Sequence, residues 1–268
     1  MNHQKQPSNT EKDPLFIHSS AEQTPVTPHR LCCYLCRPMQ KLNSFEEGRV
    51  LLINKPLYWT SFDAVRKIRN LTRTKKVGHA GTLDPLASGL LIVCTGKFTK
   101  KINEYMAQEK EYTGTITLGA TTPTYDLESE PINFKTIDHL TPEQMTATTK
   151  QFTGAILQTP PIHSAIKKDG KRVYELARRG EDVKLEPRPV TISSFAIEGI
   201  EGPKVHFRVV CSTGTYIRSL ANDFGAALGV GGYLSALCRT RIGNFSLEES
   251  ITIEELEKEI KTPSPSAE

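Results

Sequence analysis

The segment Gly78-His79-Ala80-Gly81-Thr82-Leu83-Asp84-Pro85-Leu86-Ala87-Ser88-Gly89 gathers residue types that can do chemistry. Three glycines and a proline in twelve residues make a tight, tailored loop, and it carries one imidazole and one carboxylate five positions apart. A carboxylate so presented can serve as nucleophile or general base. The plainer account is that Asp-Pro opens a turn and that His79 bonds to backbone.

What surrounds this loop bears on the choice. From Ala64 to Leu83 there are six basic residues and no acidic one, and Lys167 to Arg179 carries six basic residues against Asp169 and Glu175. The chain of 268 residues has a net charge of only +4, because seven acids and two bases follow from Glu248. Residues 49 to 247 hold 27 basic and 18 acidic residues, a surplus of nine. Two basic clusters on such a body suggest a polyanion partner, since each phosphate neutralised releases counterion. An ordinary solvated Lys/Arg face accounts for the charge equally well.

The elements that must position the loop follow from hydrophobic periodicity. Arg49 to Ile53 reads as a short strand, and Thr60-Ser61-Phe62-Asp63 as a helix start with an acid three residues in. Phe62, Val65, Ile68 and Leu71 then mark a helical face. Leu90 to Cys94 reads as a buried strand after a Gly-rich loop spanning Gly78 to Gly89. Lys110 to Leu118 alternates, with Tyr112, Ile116 and Leu118 on one face, and Val205, Phe207, Val209 and Cys211 repeat the pattern. Ile217, Leu220, Phe224 and Leu228 form one face of a helix that Thr215 can cap and that ends near Gly229. Helices and alternating strands without a βαβ period favour an α+β fold with a mixed, largely antiparallel sheet.

Residues 1–46 lack periodicity and read as a disordered extension, 47–260 as the ordered domain and 261–268 as a tail. Met39 is a candidate for the true start. Cys33 and Cys36 have metal or redox spacing, but no second pair follows at a zinc-site distance, so no metal is expected; Cys94 and Cys211 read as small buried hydrophobes. The longest apolar stretch, Leu90 to Cys94, is far short of the roughly 20 residues of a membrane helix. The first thirty residues show no secretory pattern, so a cytoplasmic, membrane-free protein is expected.

GHAGTLDPLASG resembles the signature loop of the bacterial TruB family of tRNA pseudouridine-55 synthases. Further blocks follow in the family's order: Asn54-Lys55-Pro56 with Thr60-Ser61; Lys110-Glu111-Tyr112 through Leu118-Gly119 to Thr122–Asp126; and Gln158-Thr159-Pro160-Pro161 through Ser164-Ala165, Lys167 to Gly170, Tyr174, Ala177 and Arg178. Gly214-Thr215-Tyr216-Ile217-Arg218-Ser219-Leu220 and Gly231-Gly232-Tyr233-Leu234 complete them. The resemblance spans about residues 48 to 260. The chain departs from the family at Cys238, where Arg is usual, and in Asp126-Leu127-Glu128-Ser129-Glu130, which lacks a Gly after the Asp. Only about twenty residues follow Phe245, too few for the additional C-terminal RNA-binding domain of many members.

The resemblance implies a pseudouridine synthase-like catalytic domain that isomerises uridine 55 in the T-arm of tRNA. It makes Asp84 the catalytic carboxylate and Arg218 the cation that keeps it ionised. Reaching a stacked base requires flipping, which costs a few kcal/mol of unstacking. His79 would then occupy the vacated space, and Tyr112 would stack on the flipped uracil, its hydroxyl assisting proton transfer from C5. Tyr216 and Leu237 would line the pocket and Lys167 would contact the substrate. No cofactor, no obligate protein partner and a monomer are expected. The alternatives are a guide-RNA-dependent pseudouridine synthase of the dyskerin kind, and a tRNA-folding chaperone with incidental or lost catalysis.

Overall fold

A computed structural model describes residues 44–162, 164, 167–168, 171–172 and 185–262. The expected N-terminal extension up to residue 43, Met39, the Cys33–Cys36 pair, the last six residues and much of the second basic cluster lie outside the described residues. Helix α1 (Ser44–Glu47) is the first described element, and Phe45 within it is buried under the Arg49 guanidinium.

The body is one mixed sheet in the order β1 (Val50–Lys55), β3 (Ala87–Thr95), β10 (Gly232–Ile242), β4 (Lys110–Leu118), β9 (Lys204–Cys211), β8 (Arg188–Glu201), β5 (Gly154–Gln158). Strand β2 (Val77–Ala80) adds to β3, and β11 (Phe245–Ser246) to β10. Strands β6 (Lys167–Lys168) and β7 (Lys171–Arg172) pair with each other. Every named pairing is antiparallel except one. Strands β3 and β10 run parallel over three registered pairs, Ala87 with Leu237, Ser88 with Cys238 and Gly89 with Arg239. This short seam joins the two antiparallel parts of the sheet.

The strand expected at Lys110–Leu118 has those ends, with Tyr112, Ile116 and Leu118 buried. Val205, Phe207, Val209 and Cys211 face the same core across β9. Against this face packs α5 (Ile217–Ala227) through Ile217, Leu220, Ala221 and Phe224. Contact is close enough that a Cβ on Gly225 would stand 2.2 Å from the Gly232 amide nitrogen. Strand β3 is buried on both faces, which explains its unbroken apolar run. Leu91 and Val93 meet α2 (Ser61–Thr72) and α6 (Ile253–Lys261), whereas Leu90, Ile92 and Cys94 meet Ala80, Ile242 and residues of α3 (Ile102–Ala107). Helix α4 (Pro142–Thr149) adds Met145 to the main core.

Three expectations need correction. Phe62 is exposed, because the buried stripe of α2 runs through Ser61, Ala64, Val65, Ile68 and Thr72 instead. Thr215 does not cap α5: its hydroxyl donates to Ser212 O, and Tyr216 occupies the cap without a side-chain bond. The Gly78–Gly89 loop is shorter than read, since β2 takes Gly78 to Ala80 and β3 begins at Ala87, which puts His79 on a strand opposite Val93. The Thr60 cap does form, as a capping box with Asp63. Among the described residues no helix is long and apolar enough to cross a membrane.

Candidate active site

Six residues, Gly81 to Leu86, connect β2 to β3, and their backbone is held from three directions. Ala87 N–H donates to Asp84 O at 3.1 Å, closing a turn on Asp84-Pro85. Ser61, buried at the start of α2, accepts from Leu83 N–H at 2.8 Å and donates to Leu83 O at 3.1 Å. The Arg239 guanidinium, 1% exposed, donates to Leu90 O at 2.8 Å and to Gly81 O at 3.1 Å, crossing the β3–β10 seam. Tyr58 N–H adds a bond of 2.7 Å to Pro85 O.

The turn sets the Asp84 side chain in a half-open position, 41% exposed, against a buried cation. Arg218 Nε lies 3.0 Å from Asp84 Oδ2 and 3.5 Å from Asp126 Oδ2, and Arg218 Nη1 donates to Thr124 O at 3.4 Å. Arg218 stands in the first turn of α5, whose entry is fixed by Gln158 at the end of β5. Gln158 Nε2 donates to Tyr216 O at 3.0 Å and Tyr216 N–H donates to Gln158 Oε1 at 2.8 Å. Asp126 is buried too, accepting Glu128 N–H at 3.0 Å, so its loop is closed by side-chain bonds without the glycine usual in the resemblance. A guanidinium flanked by two carboxylates, one sealed and one open, leaves Asp84 the oxygen that a ligand can reach.

Beneath Asp84 lies a second polar layer. Tyr112 is buried on β4 opposite Arg239, and burial raises its pKa above that of an ordinary phenol. Lys55, fully buried at the end of β1, donates from Nζ to Trp59 O at 2.7 Å and Pro56 O at 2.9 Å. Burial lowers its pKa to about 8, with the nearby Asp84 charge pulling the other way and Arg239 reinforcing the fall. Tyr216 is partly buried, its pKa raised chiefly by burial, within the field of Arg218 and Asp84.

The residues singled out from sequence thus divide. Asp84, Arg218, Tyr112 and Tyr216 converge. Leu237, beside Cys238 on β10, lines a cleft with Leu57, Tyr58, Leu86 and Leu127. His79 is largely buried on β2, with Nδ1 sealed from solvent; burial depresses its pKa, opposed by a backbone bond at Gly81 and reinforced by Arg239. The side chain of Lys167 lies outside the described residues. Asp126, Arg239 and Lys55 were not singled out as site residues. Arg239 sits at an inward position of β10 opposite Tyr112, and a charge at a core-facing strand position is the signal that could have marked it. Among the described residues no three His, Cys, Asp or Glu side chains are grouped to hold a metal.

Comparison with known proteins identifies the family of the chain. Residues 69–217 match the family model of the N-terminal domain of TruB family pseudouridylate synthases, and residues 218–265 match that of the tRNA pseudouridylate synthase B C-terminal domain. The latter segment contributes α5 and β10 to the same core and sheet as the former. The chain is 54% identical over 222 residues to tRNA pseudouridine synthase B of Flavobacterium johnsoniae, covering 80% of this chain and 97% of that protein. It is 49% identical over 231 residues to the protein of the same name from Chloroherpeton thalassium, covering 84% and 96%. Among solved structures, a Cbf5-Nop10-Gar1 complex aligns with a TM-score of 0.65 and 31% identity, over 82% of this chain and 56% of that one. An H/ACA RNP bound to a substrate RNA containing 2'-deoxyuridine aligns with a TM-score of 0.61 and 28% identity, over 82% and 55%.

Proposed function

The chain belongs to the TruB family of pseudouridylate synthases, and we propose that it isomerises uridine 55 in the T-arm of tRNA, acting in the cytoplasm as a monomer without a guide RNA. The observation that carries the reading is the Asp84 carboxylate, open to solvent and seated 3.0 Å from a buried guanidinium. Isomerisation breaks a C–N glycosidic bond and remakes it as C–C on the same base. Attack at C6, attack at C1′ and abstraction of a ribose proton all use an ionised carboxylate, and Arg218 lies at ion-pairing distance from this one.

The remaining residues take roles that their surroundings suit. Tyr112 stays a neutral phenol at neutral pH, so its ring can stack on uracil while its hydroxyl bears a proton close to the reacting base. Tyr216 and Leu237 flank the detached base, limiting its motions while it turns. His79, kept neutral by burial, is the wedge for the space left in the RNA stack. Lys167, in the second basic cluster, contacts the RNA backbone. The T-loop suits such a site because splayed, unpaired bases are accessible where an A-form stem shows mainly phosphate and 2′-hydroxyl.

The test is incubation of purified protein with an unmodified tRNA transcript, followed by carbodiimide primer extension, with Asp84→Asn in parallel. A stop at uridine 55 from the wild type alone is expected, with tRNA binding by Asp84→Asn within about threefold of wild type, since one uncharged isostere removes no phosphate contact. Turnover by Asp84→Asn would refute the role of Asp84. Tight binding with no product would favour the chaperone, and product only after adding a guide RNA would favour the dyskerin-like reading.

A further inference from the structure

Two tyrosines near the site have a left-handed backbone, Tyr58 at φ 66° and Tyr125 at φ 64°, and of these it is Tyr58 whose ring is displayed to solvent. That conformation is disfavoured for any side chain, and most of all for a large one. It persists here because the Tyr58 amide is tied to Pro85 O at 2.7 Å, within the turn that carries Asp84. The strain is not offset by burial of the ring, since Tyr58 is 79% exposed. A conformational cost maintained beside a reactive turn, with the aromatic group displayed to solvent, points to something outside the protein.

Two depressions meet at this ring. One is lined by Trp59, Asp63, Arg66, Lys67 and Asn70, the other by residues that include Leu57, Leu127, Leu237 and Leu86, the last in the turn that carries Asp84. Tyr58 lines both. The first offers an amide and two cations that also pair with carboxylates, Arg66 with Asp63 and Lys67 with Glu257, each at 2.8 Å, and the second offers apolar contact. Aromatic stacking next to basic side chains is the chemistry that holds an unpaired nucleotide by its base and its phosphate. We propose that Tyr58 is a substrate-positioning residue: its ring stacks on an unpaired base of the RNA next to the reacting uridine, while Arg66 and Lys67 take up the adjoining phosphate. The inference rests on the RNA substrate proposed above, and the strained backbone fixes where that base must lie relative to Asp84.

The test compares Tyr58→Gly, Tyr58→Asn and Tyr58→Phe in the full chain. Glycine and asparagine both tolerate a positive φ, so both should fold with a melting temperature at or above that of the wild type. With a T-arm hairpin transcript, KM and Kd should each rise about tenfold in the Gly and Asn variants with kcat within about twofold, and Tyr58→Phe should match wild type. Wild-type affinity in the Gly and Asn variants would overturn the proposal, as would loss of affinity in Tyr58→Phe. Wild-type protein that binds the hairpin but forms no pseudouridine would instead count against the catalytic reading, and the Kd comparison would still decide the role of Tyr58.

Discussion

Arg218 is shared between Asp84 and Asp126, and Lys55, Lys110 and Arg239 are buried elsewhere in the body, an arrangement that makes stability respond to alkaline pH. Burial lowers the pKa of Lys55 and of Lys110 from 10.5 to about 8. Above pH 8 the unfolded chain therefore binds more protons at these two lysines than the folded one, and stability climbs as pH rises. Cys94 and Cys211 act in the opposite sense, burial raising each from 9.0 to about 11, so from pH 9 upward stability is lost through the thiols. The denaturation midpoint in urea should accordingly increase between about pH 8 and 9 and level off beyond it. Lys110→Met should flatten the rise even though it lowers the midpoint throughout, because the Met106 and Gln108 carbonyls lose their donor. An unchanged slope would mean that Lys110 titrates as an exposed amine. These buried cations were the part of the site least legible in sequence. Lys and Arg are counted as solvent-facing by default, and only the final inward alternation of β10 betrays Arg239.

At the scale of elements, position depends on close backbone approach as much as on side-chain packing. Arg218 reaches Asp84 because α5 lies directly on β10, with Gly225 against Gly232. Gly225→Ala should force the helix off the sheet, costing about 1 to 3 kcal/mol in an overpacked contact. Thermal unfolding and single-turnover rate should fall together, whereas Ala226→Gly, one position along the same helix, should cost only about 1 kcal/mol and leave the rate near wild type. Sequence reading succeeded where one side of an element faces water: β4, β9 and the apolar face of α5 were all visible as periodicities. It failed where pattern and burial part company. Gly78 in Val77–Ala80 concealed β2, Phe62 kept the spacing of a core residue while facing solvent, and the parallel seam left no periodic trace.

Across the whole molecule, charge is distributed rather than large. The surplus of nine between residues 49 and 247 is partly balanced by the acidic end, where Glu257 of α6 sits 2.8 Å from Lys67 of α2. RNA affinity should therefore depend on salt, with Kd rising at least about tenfold between 50 and 200 mM KCl, equivalent to two or more phosphate contacts. A flat response would deny any electrostatic footprint. The seam between β3 and β10 has a further consequence, for the making of the protein. Asp84 leaves the ribosome early, but the residue that binds its turn across the seam is number 239 and its cation is number 218. At roughly 5 to 20 residues per second, some ten to thirty seconds separate the carboxylate from Arg239. The nascent chain carries its reactive aspartate without its seam contact for that whole interval, so a fragment that stops before residue 218 lacks the cation and one that stops before 239 lacks the clamp on the turn.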